Sequence, residues 1–530
     1  MGHPSRQDQE PQHRGHVLPR LGPGAPRPGH DAAALPGRSD LRVVRQQRDA
    51  QRENLSRLDP ARSEGARGSV RGTAAAGPRR SALGVSLAAA RPLRRRGPRR
   101  VVAARRREGV DVRREGGGAV SLTVLTNAFL IDCTGTDPLG GAAVVVEDDR
   151  IKEVLPNGRV GPLPGPVTTL DLKGATLLPG LTDAHVHICA VEGNITDQHR
   201  YLPPSLLAAK ALRRAEECLM QGFTTVRDAG GADYGFREAI EDGLYPGPRL
   251  LVSGHYISQT GGHGDKRRRA EWIPPIDCCI GMIGSIADGE AEVRKAVREQ
   301  IRRDVNQIKI MASGGAMSPS DELDTTQFTV AEMRAAVEEA QAVGKYVLAH
   351  AYSDGAVRNA VAAGVRSIEH GNLIREAAAK AIRDAGAFLV PTMVTYEAIY
   401  REGKRYGIGD HQIHKINLAR EQSVQGLTYA YRAGCKIGSG SDLLGDMMVQ
   451  RAVEFELKAQ VMTPMEVLLS ATRVNAELFR MSDRIGTVEA GKYADLVVVT
   501  GDPLRNLRVF QTQDNLKVIM KGGRLYKRTL

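Results

Sequence analysis

The feature that most limits what this chain can become is an alternation of two patterns over about 300 residues. Short apolar, strand-like runs fall at 176–183, 224–228, 250–253, 307–311, 346–350, 367–370, 388–392 and 436–439. Helix-like segments lie between and after them, at 206–221, 291–302, 330–343, 356–363, 377–385, 418–432 and 450–459. Eight strand-like runs with seven helix-like segments among them predict an α/β fold of the (β/α)8 TIM-barrel type across residues 176–485. Such a barrel carries its chemistry at the C-terminal ends of its strands, so a functional side chain should come last in its strand.

The flanks read differently. Leu122 to Asp132, Ala142 to Glu147 and Arg150 to Val154 are β-rich and bounded by Gly, Asp and Pro. Ala494 to Val499 and Leu516 to Met520 read the same way near the other end. The two flanks, 120–175 and 486–530, are expected to form one small composite β-sandwich domain with the barrel inserted between them.

Charge matters only once it is divided along the chain. Residues 1–119 hold 26 Arg, no Lys and 11 Asp plus Glu; the rest holds 48 basic and 50 acidic residues, so the overall +13 lies in the leader. That leader has no Phe, Tyr or Trp and is crowded with Arg, Gly, Pro and Ala. Without large apolar side chains it cannot offset the entropy of ordering its backbone, and it is expected to be disordered. Arg used to the exclusion of Lys is also what GC-rich DNA read upstream of a true start would encode; that origin is the reading preferred for the leader, with a solvated tail and a functional basic arm as the alternatives. Its Arg runs at 94–96 and 105–107 lack an aromatic platform, which argues against specific nucleic-acid recognition.

No signal-peptide pattern opens the chain, and no stretch of eighteen apolar residues occurs in it. Six sparse cysteines without a C-x-x-C read as reduced thiols. The expectation is a cytoplasmic protein without a membrane partner.

The strand-end rule then selects a constellation. His185 and His187 stand two apart at the end of the first run, and residues two apart in a strand face the same way. Lys309 lies in the fourth run, His350 ends the fifth, His370 ends the sixth, and Asp442 follows the eighth. Each has an ordinary structural reading: a satisfied core histidine, an ion-pair partner, a helix cap. Together they put four imidazoles, a carboxylate and an amine at one barrel mouth, and neutral imidazole and carboxylate are ligands for zinc and similar divalent ions.

These residues carry a resemblance. The run Gly180-Leu181-Thr182-Asp183-Ala184-His185-Val186-His187, with the later Gly491-Lys492-Tyr493-Ala494-Asp495-Leu496-Val497-Val498, resembles the amidohydrolase superfamily of metal-dependent hydrolases. The likeness extends from about Ser121 to Leu530. Gly261-Gly262-His263-Gly264-Asp265, the stretch Ile308 to Gly315, and His350-Ala351-Tyr352 resemble more closely the imidazolonepropionase-related branch that includes prolidase-like dipeptidases.

The resemblance implies two divalent ions, usually zinc. His185, His187 and Asp442 would hold one, His350 and His370 the other, and a carboxylated Lys309 would bridge them; an unmodified, cationic Lys309 implies a single-metal site instead. It implies Asp442 as proton acceptor and donor. His263 becomes a candidate oxyanion stabiliser or substrate contact, and Tyr352 a hydrogen-bond donor to the carbonyl or to a substrate carboxylate. Arg227 at the end of the second strand reads as a structural ion pair rather than a substrate contact. No H-x-x-E follows His350, against the purine and cytosine deaminase branches.

The activity so implied is hydrolysis of a C–N amide bond in a small substrate, a dipeptide or N-acyl amino acid, by metal-activated hydroxide. The alternative is a cyclic-amide hydrolase of the imidazolonepropionase type. A non-catalytic relative would be expected to have lost ligands, and this chain retains each of them. The expected partner is a small-molecule substrate, with a homo-oligomer left open.

Overall fold

The computed structural model describes residues 121–272, 280–318 and 321–530; the basic leader at 1–119, Cys278 and Cys279 lie outside the described residues. Five strands open the described chain: β1 (Leu122–Leu130), β2 (Leu139–Glu147), β3 (Arg150–Leu155), β4 (Val167–Asp171) and β5 (Thr176–Pro179). Ten follow in parallel arrangement: β6 (Leu181–Val186), β7 (Phe223–Asp228), β8 (Arg249–Leu251), β9 (Tyr256–Ser258), β10 (Gly284–Ile286), β11 (Ile308–Met311), β12 (Val347–Ser353), β13 (Ser367–Leu373), β14 (Phe388–Val390) and β15 (Lys436–Ile437). Three close it: β16 (Leu496–Val499), β17 (Leu516–Lys521) and β18 (Arg524–Arg528).

Strands from both flanks share one mixed sheet, in the order β18-β17-β16-β5-β1-β2-β3, with β4 also paired to β1. Its ladders join all eight strands into a single sheet, where the sequence suggested a sandwich. The join between the flanks is β16 lying antiparallel on β5, Val497 opposite Leu178. Side chains from both flanks fill its core, among them Leu125, Val144, Leu177, Leu496, Val498 and Met520. Alternation puts these positions on the inner face, so the apolar pattern of each strand sets its register.

The run 176–183 is not one strand. It breaks at Gly180 into β5 of the mixed sheet and β6 of a parallel sheet. A Cβ at Gly180 would lie 2.0 Å from Thr224 Oγ1, and the Gly180 N–H donates to Asp495 O at 2.7 Å. Glycine is what lets the chain leave one sheet and enter the next this close to its neighbour.

The parallel strands form a sheet of three, β6-β7-β8, and a sheet of seven, β10-β9-β11-β12-β13-β14-β15. The ladders therefore do not run as one closed ring of eight. Backbone bonds cross both seams: Ala184 N–H donates to Ser439 O and Asn306 N–H to Val252 O, each at 2.8 Å. The two additional strands, β9 and β10, are three residues each and lie between the expected runs at 250–253 and 307–311, where the sequence suggested no strand.

Helices pack between the strands, including Pro204–Met220, Gly289–Arg302, Val330–Ala342 and Asp410–Ala433. Thr329 and Glu332 form a reciprocal capping box that starts the third of these, and proline at the first turn starts Pro204–Met220. Helices at Tyr234–Glu241, Met393–Glu402 and Pro464–Leu469 were not anticipated from the sequence. The expected helix at 450–459 is a 3-10 turn, Gly445–Gln450, followed by the short helix Val453–Lys458. Among the described residues, no helix is long and apolar enough to cross a membrane, and Cys133, Cys189, Cys218 and Cys435 are free thiols.

Candidate metal centre

Residues in the parallel strands and in the segments that follow them line one cavity; His350 and His370 lie three residues before the ends of β12 and β13 rather than at them. The cavity is lined by all eight site residues anticipated from the sequence: His185, His187, His263, Lys309, His350, Tyr352, His370 and Asp442.

His185 lies in β6 and His187 just beyond it, their ring centroids 5.2 Å apart. Asp442 arrives from the loop after β15, anchored by its backbone N–H donating to His185 O at 2.8 Å. Its Oδ1 lies 3.6 Å from His185 Nε2 and 3.3 Å from His187 Nε2. One potential ligand atom from each of these three residues falls within a 4.8 Å group.

The far side of each ring says which nitrogen is available. His187 Nδ1 is 2.7 Å from the Gly230 carbonyl, which can only accept, so Nδ1 carries the hydrogen and the Nε2 lone pair faces Asp442. His185 Nδ1 is 2.7 Å from Glu369 Oε2, and a carboxylate oxygen imposes the same tautomer. Burial drives both imidazoles toward the neutral form, His187 down to about 3 and His185 well below its ordinary value, with the Lys309 charge next in importance. Two neutral imidazoles with lone pairs converging on a carboxylate oxygen are a donor set that fits a divalent cation.

His350 and His370 make a second pair, ring centroids 4.6 Å apart, outside that tight group. His350 Nε2 faces the Gly314 carbonyl at 3.1 Å, which leaves Nδ1 as its free donor atom. His370 Nδ1 is 2.8 Å from Thr392 Oγ1 and 3.9 Å from Asp442 Oδ2, leaving Nε2 unengaged. Lys309 is buried and, among the described residues, makes no ion pair. Desolvation brings its ammonium down to about 8, against the attraction of Glu369 and Asp442.

Two of these residues hold a left-handed backbone, His370 with φ 76° and Asp442 with φ 52°. Such conformations cost of order 1–3 kcal/mol outside glycine and persist where the surroundings impose them. At His370 the consequence is visible. Glu369 and His370 are sequence neighbours in β13, yet Glu369 bonds His185 and the His370 ring lies 4.9 Å from the His185 ring. A regular strand would turn adjacent side chains to opposite faces.

The outer cavity is aromatic. The His263 ring stacks on His350 at 4.4 Å, and its Nδ1 lies 3.1 Å from Ser318 Oγ. A Cβ at Gly315 would lie 2.1 Å from the His263 ring, so the glycine clears the space that ring occupies. Tyr352 lies 5.2 Å from His370 in a stacked arrangement and accepts a 2.9 Å bond from the Tyr396 hydroxyl. Its own O–H is thereby left to donate into the cavity.

Arg227 does not reach the cavity. It is fully buried, donating from Nε to Ala184 O at 2.6 Å and from an Nη to Glu369 Oε1 at 2.8 Å, the ion pair anticipated for it. Glu369, Lys266 and Tyr396 were not picked out from the sequence. A buried-strand pattern with an acid in it, Ser367-Ile368-Glu369-His370, was the available signal for the first; the other two had none.

Known proteins share this arrangement of chain. The model of the Amidohydrolase family matches residues 176–526. Ochratoxinase of Aspergillus niger is 30% identical over 427 residues, 77% of this chain and 87% of that protein. A crystal structure of a prolidase complexed with N-methylphosphonate-L-proline matches with a TM-score of 0.74 at 41% identity, covering 77% of this chain and 100% of that one. Imidazolonepropionase of Salinispora tropica is 25% identical over 392 residues, 69% of this chain and 88% of that protein.

Proposed function

The chain belongs to the amidohydrolase family, and from that premise we propose that it is a metal-dependent hydrolase cleaving the C–N amide bond of a dipeptide or N-acyl amino acid. The observation that carries the proposal is the gathering of His185, His187 and Asp442 within 4.8 Å in a cavity shared with Lys309, His350 and His370. The parallel sheets of three and seven strands, bridged by the Ala184 and Asn306 bonds, are read as arcs of one (β/α)8 barrel with this cavity at its mouth.

In this reading His185 Nε2, His187 Nε2 and Asp442 would hold one divalent ion, and His350 Nδ1 and His370 Nε2 would hold a second, with zinc the expected metal. Lys309 Nζ, as the neutral amine that its lowered pKa makes accessible, would add to carbon dioxide: an N–C bond forms as one C–O π bond opens, one proton leaves the nitrogen, and a neutral amine becomes an anionic carbamate that would join the groups holding the ions. When bound, such ions polarise a substrate carbonyl and lower the pKa of water at the site.

The chain's own residues do the rest. Asp442 takes a proton from the attacking water and hands it to the leaving nitrogen; burial, with Asp183 and Glu369 reinforcing it and Lys309 opposing it, raises its pKa to about 7, and divalent cations at the site would favour its ionised form. Tyr352 donates its O–H to the substrate. Of the two roles open to His263, substrate contact is the one its bonding supports. Ser318 Oγ gives its hydrogen to Asp321 or to Gly315 O, so it accepts from His263 Nδ1. Nε2 is then an acceptor, and burial holds the ring neutral, so it suits a substrate N–H better than a developing oxyanion.

An acyclic substrate is preferred over a cyclic amide because the prolidase structure stands at 41% identity and imidazolonepropionase at 25%. The same reading makes a small molecule the partner, with neither nucleic acid nor membrane, in the cytoplasm. The test is a panel of dipeptides and N-acyl amino acids offered to the metal-loaded full chain, beside cyclic amides. Release of free amino acid from the first group supports the proposal; turnover of ring substrates alone would replace it with the cyclic-amide reading, and no turnover of either would remove it.

A further inference from the structure

Beyond the candidate metal ligands, one cation in this cavity has no task. Lys266 lines the same cavity as His187 and His263, and it also lines an adjoining outer hollow with His199, Arg200, Arg267 and Glu271. Its neighbours are already matched. Arg200 pairs with Asp197 at 3.0 Å and Glu271 at 2.7 Å, and Arg267 pairs with Asp265 at 2.6 Å. Among the described residues Lys266 makes neither a hydrogen bond nor an ion pair; Asp321 and Asp265 act on it only at longer range.

The segment carrying it is held in shape. Asp265 accepts from the backbone N–H groups of Gly261 and Arg267 and from the Arg267 guanidinium, while its own N–H donates to Gly262 O. The ammonium is therefore carried by a braced loop that borders both the cavity and the outer hollow. The wall of the same cavity includes the apolar side chains of Ile195, Met282 and Leu444. A partly buried cation without a counter-ion, next to apolar walls, is complementary to a ligand with one negative charge and an apolar body.

We propose that Lys266 binds the free carboxylate of the substrate and so restricts the enzyme to substrates with a terminal α-carboxylate and an uncharged, apolar remainder. The assignment rests on the hydrolase reading for the reaction but not for the binding, and the test separates the two. N-acetyl derivatives of L-Pro, L-Met, L-Leu and L-Phe, and their carboxamides, are titrated calorimetrically into the metal-loaded full chain and assayed for hydrolysis.

Wild type is expected to bind the preferred acid about 30-fold more tightly than its amide, the scale of one charge-assisted bond. Lys266→Met should bind acid and amide within about threefold of each other, its loss appearing in KM rather than kcat, and Lys266→Arg should restore much of the preference. An unchanged amide affinity reports an intact site, and Lys266→Gln makes the same comparison should the methionine variant not fold. Retention of the acid preference in Lys266→Met, or its absence in wild type, overturns the assignment. A Lys266-dependent preference without turnover of any of these compounds would leave the assignment standing and count against the hydrolase reading.

Discussion

Asp442→Asn lowers kcat by about 10³-fold while the protein still holds its metal. Asparagine keeps the size of the side chain and one oxygen that can face His185 and His187, whose Nε2 atoms lie 3.6 and 3.3 Å from Asp442 Oδ1. What it loses is the ability to take a proton and give it back. The backbone need not move: the Asp442 N–H bond to His185 O is independent of the side chain, and asparagine tolerates the left-handed φ of 52° as well as aspartate does. Steady-state rates with the best substrate, together with metal content by elemental analysis, check this. Wild-type turnover in Asp442→Asn would remove the proton-transfer role, and loss of metal together with activity would make Asp442 a ligand only.

Glu369→Ala should destabilise the fold by about 3–5 kcal/mol, the usual consequence of breaking a buried ion pair from one side. Glu369 is fully buried and serves three partners: Arg227 at 2.8 Å, Ser367 Oγ at 2.5 Å and His185 Nδ1 at 2.7 Å. Its removal leaves a guanidinium stranded in the interior and frees the His185 ring to change tautomer. The second effect reaches the candidate metal site, where loss of such an orienting partner weakens metal binding by about 10–100-fold. Glu369→Gln, which keeps the shape and one acceptor, should cost less on both counts. Urea unfolding measures the first effect and competition with a chelator the second; an alanine variant as stable as wild type would show that the pair does not support the interior of the parallel sheets.

What could be read before any coordinates was whatever repeats or sits at an element's end. The strand-like runs carrying His350 and His370 lie in β12 and β13, although these strands run on to Ser353 and Leu373 and the histidines do not end them as expected; the pair at 185 and 187 follows from the two-residue period of a strand. What could not be read depends on departures from those periods. The continuous apolar run through Leu178 hides a change of sheet at Gly180, because the clash that demands glycine there is with Thr224, over forty positions away. β9 and β10 are too short to show any periodicity. Glu369 escaped notice because alternation assigns it to the face opposite His370, and only the left-handed turn at His370 brings both to His185. Lys266 stands out only once Arg200 and Arg267 are seen to be paired, and pairing is a property of the folded chain.

The central claim is that distant strand ends share an ion, and anomalous diffraction at the zinc edge from crystals of zinc-replete protein tests it most directly. The account predicts a peak about 2.0–2.2 Å from His185 Nε2, His187 Nε2 and an Asp442 carboxylate oxygen. A map with no peak among those three residues, or with its strongest peak elsewhere in the molecule, would contradict it.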